Sequence, residues 1–186
     1  TILREDILSK QVFLFARDPN PALFDYFSRT EPNLLMIIGS SWETKNYPKE
    51  KFVHIARELG HNCLLAWGNA EEKSKAEWMA AQYDRINVLP KLDLNDLISA
   101  VAQADLVIGN DTGPTHMAWS LNKPSITIFG PTPVRQAYQT GINKVVKSPS
   151  SVNPYKLNRK DDSIKDIDPQ EIVRIAKSLL DNRQTL

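Results

Sequence analysis

A single cysteine, Cys63, occurs in 186 residues, which rules out an intramolecular disulfide and a cysteine metal cluster and fits a reducing compartment. Long apolar runs are missing too. None approaches the roughly 20 residues that cross a bilayer, and the first residues carry no apolar signal-peptide core. Together these absences lead to the expectation of a cytoplasmic chain without a transmembrane segment. Charge of one sign is also lacking, since 23 basic and 22 acidic residues leave a net charge of +1. No global attraction to nucleic acid or anionic lipid follows, so any basic function must be local. Several catalytic signatures are absent. There is no G-x-x-x-x-G-K-S/T, which argues against P-loop chemistry, no G-x-G-x-x-G after the first strand, which weakens a NAD reading, and no G-x-S-x-G elbow. The three histidines, His54, His61 and His116, have no zinc spacing, and no metal site is assigned from them. No internal repeat or low-complexity segment is found.

What remains is the composition of an ordinary globular protein, 41% hydrophobic and 24% charged, long enough for one sizeable core and too short for two full α/β domains. Apolar runs and amphipathic stretches alternate along it. "NLLMIIG" from Asn33 reads as a strand buried on both faces. Residues 48–59, "PKEKFVHIAREL", place Phe52, Ala56 and Leu59 on one helical face, with Pro48 suited to the first turn and Gly60 to the end. A strand at Cys63–Trp67, a helix at about 70–82 and a short strand at 86–89 come next. In "LDLNDLISAVAQA", Leu94, Leu97, Ile98 and Val101 keep helical spacing behind Asp93 as N-cap. "DLVIGN" and "SITIFG" are two further strands around the helix-like "THMAWSLN". A weak strand at 143–147, an irregular surface loop at 148–163 and a last helix from Asp168 or Pro169 to about Leu180 complete the pattern. Strands separated by helices imply βαβ units, and hence a Rossmann-like α/β parallel sheet with helices on both faces. That domain is expected over 33–186. Residues 1–32 break the rhythm, apart from a strand-like "VFLFAR" at 12–17, and read as a linker or the remnant of an interdomain region.

Ligands of such sheets gather at the carboxyl ends of the strands, so five loops become candidates: "GSSWETKNYP", "GNAEEK", "PKLDL", "DTGPTH" and "GPTPVRQ". Each candidate has two readings. Asp111 to His116 join a strand to a helix start, where backbone N–H groups and the helix dipole favour an anion. Gly113 permits close approach, and Pro114 stands where its missing N–H matters least. The alternative is a plain capped helix with Asp111 or Thr112 as N-cap, and a merely half-buried His116. Lys45 beside Ser40 and Ser41 suits a diphosphate, or is a solvated lysine. Glu72 can accept hydrogen bonds from ribose hydroxyls, or is an acid favoured in a first helical turn. Cys63, Trp67, Trp78 and Met79 are read as packing residues. Phosphate-friendly loops without a redox or kinase signature suggest a nucleotide-diphospho-sugar site.

The segments "SSWETKNYP", "WGNAEE" and "VLPKLDLNDLISAVAQADLVIGNDTGPTHMAWSLNKPSITIFGPT" resemble the C-terminal half of the bacterial lipopolysaccharide heptosyltransferases, glycosyltransferase family nine. Most specific is a strand, then D-T-G-x-S/T-H, a short helix, and a strand ending in G-P-T. The resemblance covers about 34–140 well. It implies the C-terminal half of a GT-B fold, which transfers heptose from ADP-heptose to the lipopolysaccharide inner core with inversion. It also implies that Ser40, Ser41 and Lys45 hold the diphosphate, Glu72 the ribose and Leu92 the adenine. Asp111, Thr112, Gly113 and His116 would surround the diphosphate and the sugar, with Lys45 and Asp111 at the leaving group. Many members carry threonines and a tryptophan where this chain has Ser40, Ser41 and Tyr47. The general base would belong to an N-terminal domain that this chain is too short to contain, so the chain alone is expected to be inactive. No cofactor is assigned, and Mg²⁺ stays open, Asp111 facing the ion or capping a helix. The acceptor would be reached through the missing domain, at the inner face of the inner membrane. A UDP- or GDP-using GT-B transferase or sugar-nucleotide epimerase, and a non-catalytic nucleotide-binding module, remain as alternatives.

Overall fold

The computed structural model describes residues 20–182. The strand expected at 12–17 lies outside them. Five α-helices and six strands follow in the order β1 (Asn33–Ile37), α1 (Lys49–Leu59), β2 (Asn62–Ala66), α2 (Ala70–Gln82), β3 (Ile86–Val88), α3 (Leu94–Gln103), β4 (Leu106–Asn110), α4 (Gly113–Ser120), β5 (Ser125–Phe129), β6 (Asn143–Lys147) and α5 (Pro169–Asp181). All strand pairings are parallel, in the order β3-β2-β1-β4-β5-β6.

Local chemistry sets the helix ends. The Asp93 carboxylate accepts the Asp96 N–H at 2.8 Å, and Asp168 accepts from Gln170 N–H at 3.0 Å ahead of Pro169, so both acids cap as N-cap residues do. Gly60 stops α1 in the left-handed region at φ 68°, where a side chain would be strained.

Burial on both sides explains the unbroken apolar strands. Leu34, Met36, Cys63, Leu65, Ile108, Ile126 and Ile128 point to the face covered by α1, α2 and α5. Leu35, Ile37, Leu64, Ala66 and Val107 point to the other face, under α3 and α4. Cys63 and Met79 are fully buried packing residues, and burial pushes the Cys63 thiol up to about 12, which leaves it unreactive.

Residues 20–32 pack against the sheet domain. Pro21–Tyr26 form a 3-10 helix capped by Asn20, and Leu23, 1% exposed, joins the α3 side of the core. Asn62 donates to the Tyr26 carbonyl at 2.9 Å, and the Asn20 N–H reaches Asp96 at 2.8 Å. The loop at 148–163 is irregular as expected, but it is fastened. Thr44 donates to the Arg159 carbonyl at 3.0 Å, the Arg159 guanidinium lies 4.5 Å from the centre of the Trp42 ring, and a 3-10 turn at Ser163–Asp166 buries Ile164. No helix among the described residues is long and apolar enough to cross a membrane.

Candidate functional site

The strand order reverses between β1 and β4, and there the loops leaving the two strands diverge and open a crevice. Gly109 sets how closely the two strands' ends pack. A Cβ there would stand 2.5 Å from Thr115 Oγ1 and 2.9 Å from the Ile37 carbonyl, so glycine lets the start of α4 fold back onto the end of β4 beside β1. The next residue, the fully buried Asn110, ties the two loops together. Its Nδ2 donates to the Ile38 carbonyl at 2.7 Å and its Oδ1 accepts the Tyr47 N–H at 3.0 Å. The buried Tyr47 hydroxyl donates to the Ile167 carbonyl at 3.0 Å, and burial pushes it above the ordinary tyrosine range. With both ends of the β1 loop held, the short 3-10 turn Glu43–Lys45 delivers Lys45 toward β4.

Lys45 Nζ lies 2.9 Å from Asp111 Oδ2. Thr132 donates to that same oxygen at 2.8 Å, and His116 Nε2 lies 2.9 Å from Oδ1. Asp111 is 4% exposed and Thr132 5%. Burial would raise the Asp111 carboxyl, but the His116, Lys45 and Thr132 hydrogen bonds and the lysine charge outweigh it and hold the group at about 2. Of the two cap alternatives, the position falls to Thr112 and not to Asp111. Thr112 occupies the N-cap position of α4, no side chain caps that helix, and both Asp111 oxygens are engaged elsewhere. A Cβ on Gly113 would meet no protein atom, so the space before this helix start is open.

The other expected residues line a cleft of about 390 Å³ between the ends of β1, β2 and β4. Ser40, Ser41 and Gly39 form one side, Thr112 and Pro114 another, and Leu92 and Leu97 an apolar wall. Glu72 closes the β2 end. Its carboxylate accepts the Gly68 N–H at 2.7 Å and Asn69 Nδ2 at 2.9 Å, while Asn69 Oδ1 accepts the Glu72 N–H at 2.9 Å. Asn69 is the N-cap, and Glu72 reaches back as in a capping box, although to the N–H of the residue before the cap, so the helix-start reading of Glu72 is realised at a position that also faces the cleft. A Cβ on Gly39 would overlap the Glu72 carboxylate and push that side chain aside. The Ser40 hydroxyl is turned to the Trp42 carbonyl at 2.9 Å.

Eight of the nine candidates thus fall into two groups, and Gly113 stands apart. Ser40, Ser41, Glu72, Leu92 and Thr112 line the cleft, Lys45, Asp111 and His116 form the buried polar cluster, and Gly113 opens α4 next to Thr112. Three participants were not picked from sequence. Asn110 and Thr132 hold the cluster together, and Trp67, read as packing, lines the cleft with its Nε1 donating to the Leu89 carbonyl at 2.8 Å. Thr132 had a usable signal, since it follows the strand that the alternation places beside β4.

The family model "Glycosyltransferase family 9 (heptosyltransferase)" matches residues 7–166. The chain belongs to this family. It is 38% identical over 163 residues to lipopolysaccharide heptosyltransferase 1 of Campylobacter coli, covering 82% of this family 9 chain and 48% of that protein. It therefore spans about half the length of this curated relative. Its fold matches that of the structure of E. coli ADP-heptose lps heptosyltransferase II with a TM-score of 0.72 at 17% identity, over 89% of this chain and 53% of the other. E. coli heptosyltransferase WaaC with ADP-2-deoxy-2-fluoro heptose matches with a TM-score of 0.67 at 20% identity, over 84% of this chain and 46% of the other. These two likenesses establish a shared α/β fold.

Proposed function

We propose that this family 9 chain is the donor-binding half, the C-terminal half of a GT-B architecture, of an inverting heptosyltransferase that uses ADP-heptose. The carrying observation is the pairing of half-buried Lys45 with buried Asp111 beside a helix start that no side chain caps, at the reversal point of the sheet. The adenosine lies in the cleft with the adenine against Leu92 and the ribose hydroxyls on Glu72, whose carboxylate still has lone pairs beyond the two used in its cap. The diphosphate runs from Ser40 and Ser41 toward Gly113, where free backbone donors and the helix dipole favour negative charge. Ser40 turns from Trp42, and Lys45 from Asp111, to meet it.

In an inverting transfer the acceptor oxygen attacks the anomeric carbon as the bond to the diphosphate breaks, and negative charge grows on the departing phosphate. The N–H groups at Thr112 and Gly113, together with Ser41 and, once turned to the phosphate, Lys45 and Ser40, stabilise that charge as donors. Charge-assisted bonds of about 1.5 to 3 kcal/mol each suffice together for micromolar binding, about 8 kcal/mol. The general base and the acceptor site, for the lipopolysaccharide inner core at the cytoplasmic side of the membrane, reside in the portion of the longer enzyme beyond this chain. Among the described residues no three His, Cys, Asp or Glu side chains come together to hold a metal ion.

Calorimetric titration with ADP, UDP and GDP, with and without Mg²⁺, tests the reading. Micromolar binding of ADP with weaker UDP and GDP is expected. A preference for UDP or GDP would move the chain to the epimerase or another transferase class, and no binding at all would leave a non-catalytic module. Incubated alone with ADP-heptose and acceptor, the chain should transfer no sugar, and full transfer would overturn the half-enzyme assignment.

A further inference from the structure

We propose that Thr132 is a positioning residue of the donor site, whose hydroxyl holds the Asp111 carboxylate so that Lys45 is free to turn to the diphosphate. This rests on the donor reading above and concerns a step that reading leaves open. In the structure Lys45 is committed to Asp111, at 2.9 Å. A cation leaving a buried carboxylate exposes it to the full cost of an unpaired charge, and that cost holds the lysine back. Asp111 escapes it only if other donors remain.

Two do. His116 of α4 faces Oδ1, and Thr132 donates at 2.8 Å to Oδ2, the same oxygen that Lys45 occupies. Thr132 alone can therefore keep Oδ2 satisfied after Lys45 departs. It is fixed for the task, since its side chain is buried and comes from the loop after β5, a strand hydrogen-bonded to β4. Being neutral, it does not compete with Lys45 for the phosphate. The charged and titratable groups facing Asp111 are Lys45 from the β1 loop and His116 from α4.

Thr132→Val removes the donor at nearly constant shape, and Thr132→Ser keeps it. At pH 7 the valine variant should bind ADP roughly tenfold more weakly, the effect of one hydrogen bond to a charged group, and the serine variant should bind like the natural chain. The deficit should narrow as the pH is lowered toward the range in which the Asp111 carboxyl takes up its proton, because the neutral carboxyl makes no demand on Lys45. A loss caused only by disturbed packing would not depend on pH in this way. Carbon-13 NMR titration of the Asp111 carboxyl gives a second readout that needs no nucleotide, and it should titrate at higher pH in the valine variant. If the unaltered chain does not bind ADP, the donor reading fails, and the NMR titration alone decides the role of Thr132. Should the valine variant not fold, Thr132→Ala carries the same expectations. A folded valine or alanine variant with unchanged ADP affinity and unchanged Asp111 titration overturns the proposal, as does a loss that serine fails to restore.

Discussion

Asp111 and Glu72 stand beside opposite ends of one cleft, and the two carboxylates are held by different means. Asp111 is buried and takes its donors from the adjoining α4 and from two segments distant in sequence, the β1 loop and the loop after β5. Glu72 is half-buried and takes its donors from the turn four and three residues ahead of it. The first arrangement exists only when the sheet is assembled. The second could form with little more than its own helix. A carboxylate of the first kind is bound up with global stability, whereas one of the second kind can be removed at the cost of a cap. The two ends should therefore respond to substitution on different scales.

The largest difference is expected at Lys45. Replacing it by methionine leaves Asp111 buried with two donors in place of three, and removal of one member of a buried ion pair costs about 3 to 5 kcal/mol. The two remaining donors put the value near the lower end, about 3 kcal/mol, read as a shift of the urea midpoint with unchanged m-value. ADP affinity should fall roughly tenfold or more. A stability change as small as that of an exposed lysine would show that the pair contributes little and erase the contrast with Glu72.

How far the sequence reveals each end follows from the same difference. The α2 bounds at 70–82, the β6 bounds at 143–147 and the caps Asp93, Asp168 and Gly60 agree with what periodicity and capping chemistry indicate, because each depends on neighbours within a turn or two. Glu72 as an acid in a first helical turn belongs with them. The partners of Asp111 do not. Thr132 is 21 residues away and Lys45 66 away in sequence, and nothing in the local pattern says that they meet on one carboxylate. The opening segment shows the same limit, since "PALFDY" is full of turn formers and aromatics, yet Leu23 finds a place under α3 that only the folded sheet creates.

Acid sharpens the comparison with a smaller effect. The Asp111 carboxyl is held at about 2, below its ordinary 3.8, by its donors acting against burial. A group depressed on folding contributes stability that is complete above about pH 3.8 and lost as the pH falls toward 2. Its share is on the order of 2 kcal/mol. Since other acids also titrate in this range, the measurement is the difference in unfolding free energy between the natural chain and Asp111→Asn from pH 5 to pH 2. That difference should shrink steadily on acidification. A difference independent of pH would mean that the carboxylate is not held by the cluster in solution.

The smallest effects belong to the β2 end, where cap and ligand roles can be separated. Asn69→Ala removes the N-cap of α2 and should cost about 1 kcal/mol, with only a slight loss of ADP affinity, because Gly68 still orders the Glu72 carboxylate. Glu72→Ala should cost a similar amount of stability, yet weaken ADP roughly tenfold by removing the acceptor for the ribose hydroxyls. The decisive probe is 2′,3′-dideoxy-ADP, which lacks both hydroxyls. Its affinity should be low for the natural chain and unchanged by Glu72→Ala, so that the coupling between side chain and hydroxyls appears as non-additivity in a double-difference cycle. If Glu72→Ala weakens both nucleotides equally, Glu72 acts through the turn it caps, and the sequence pattern that marks a helix start would describe its whole role.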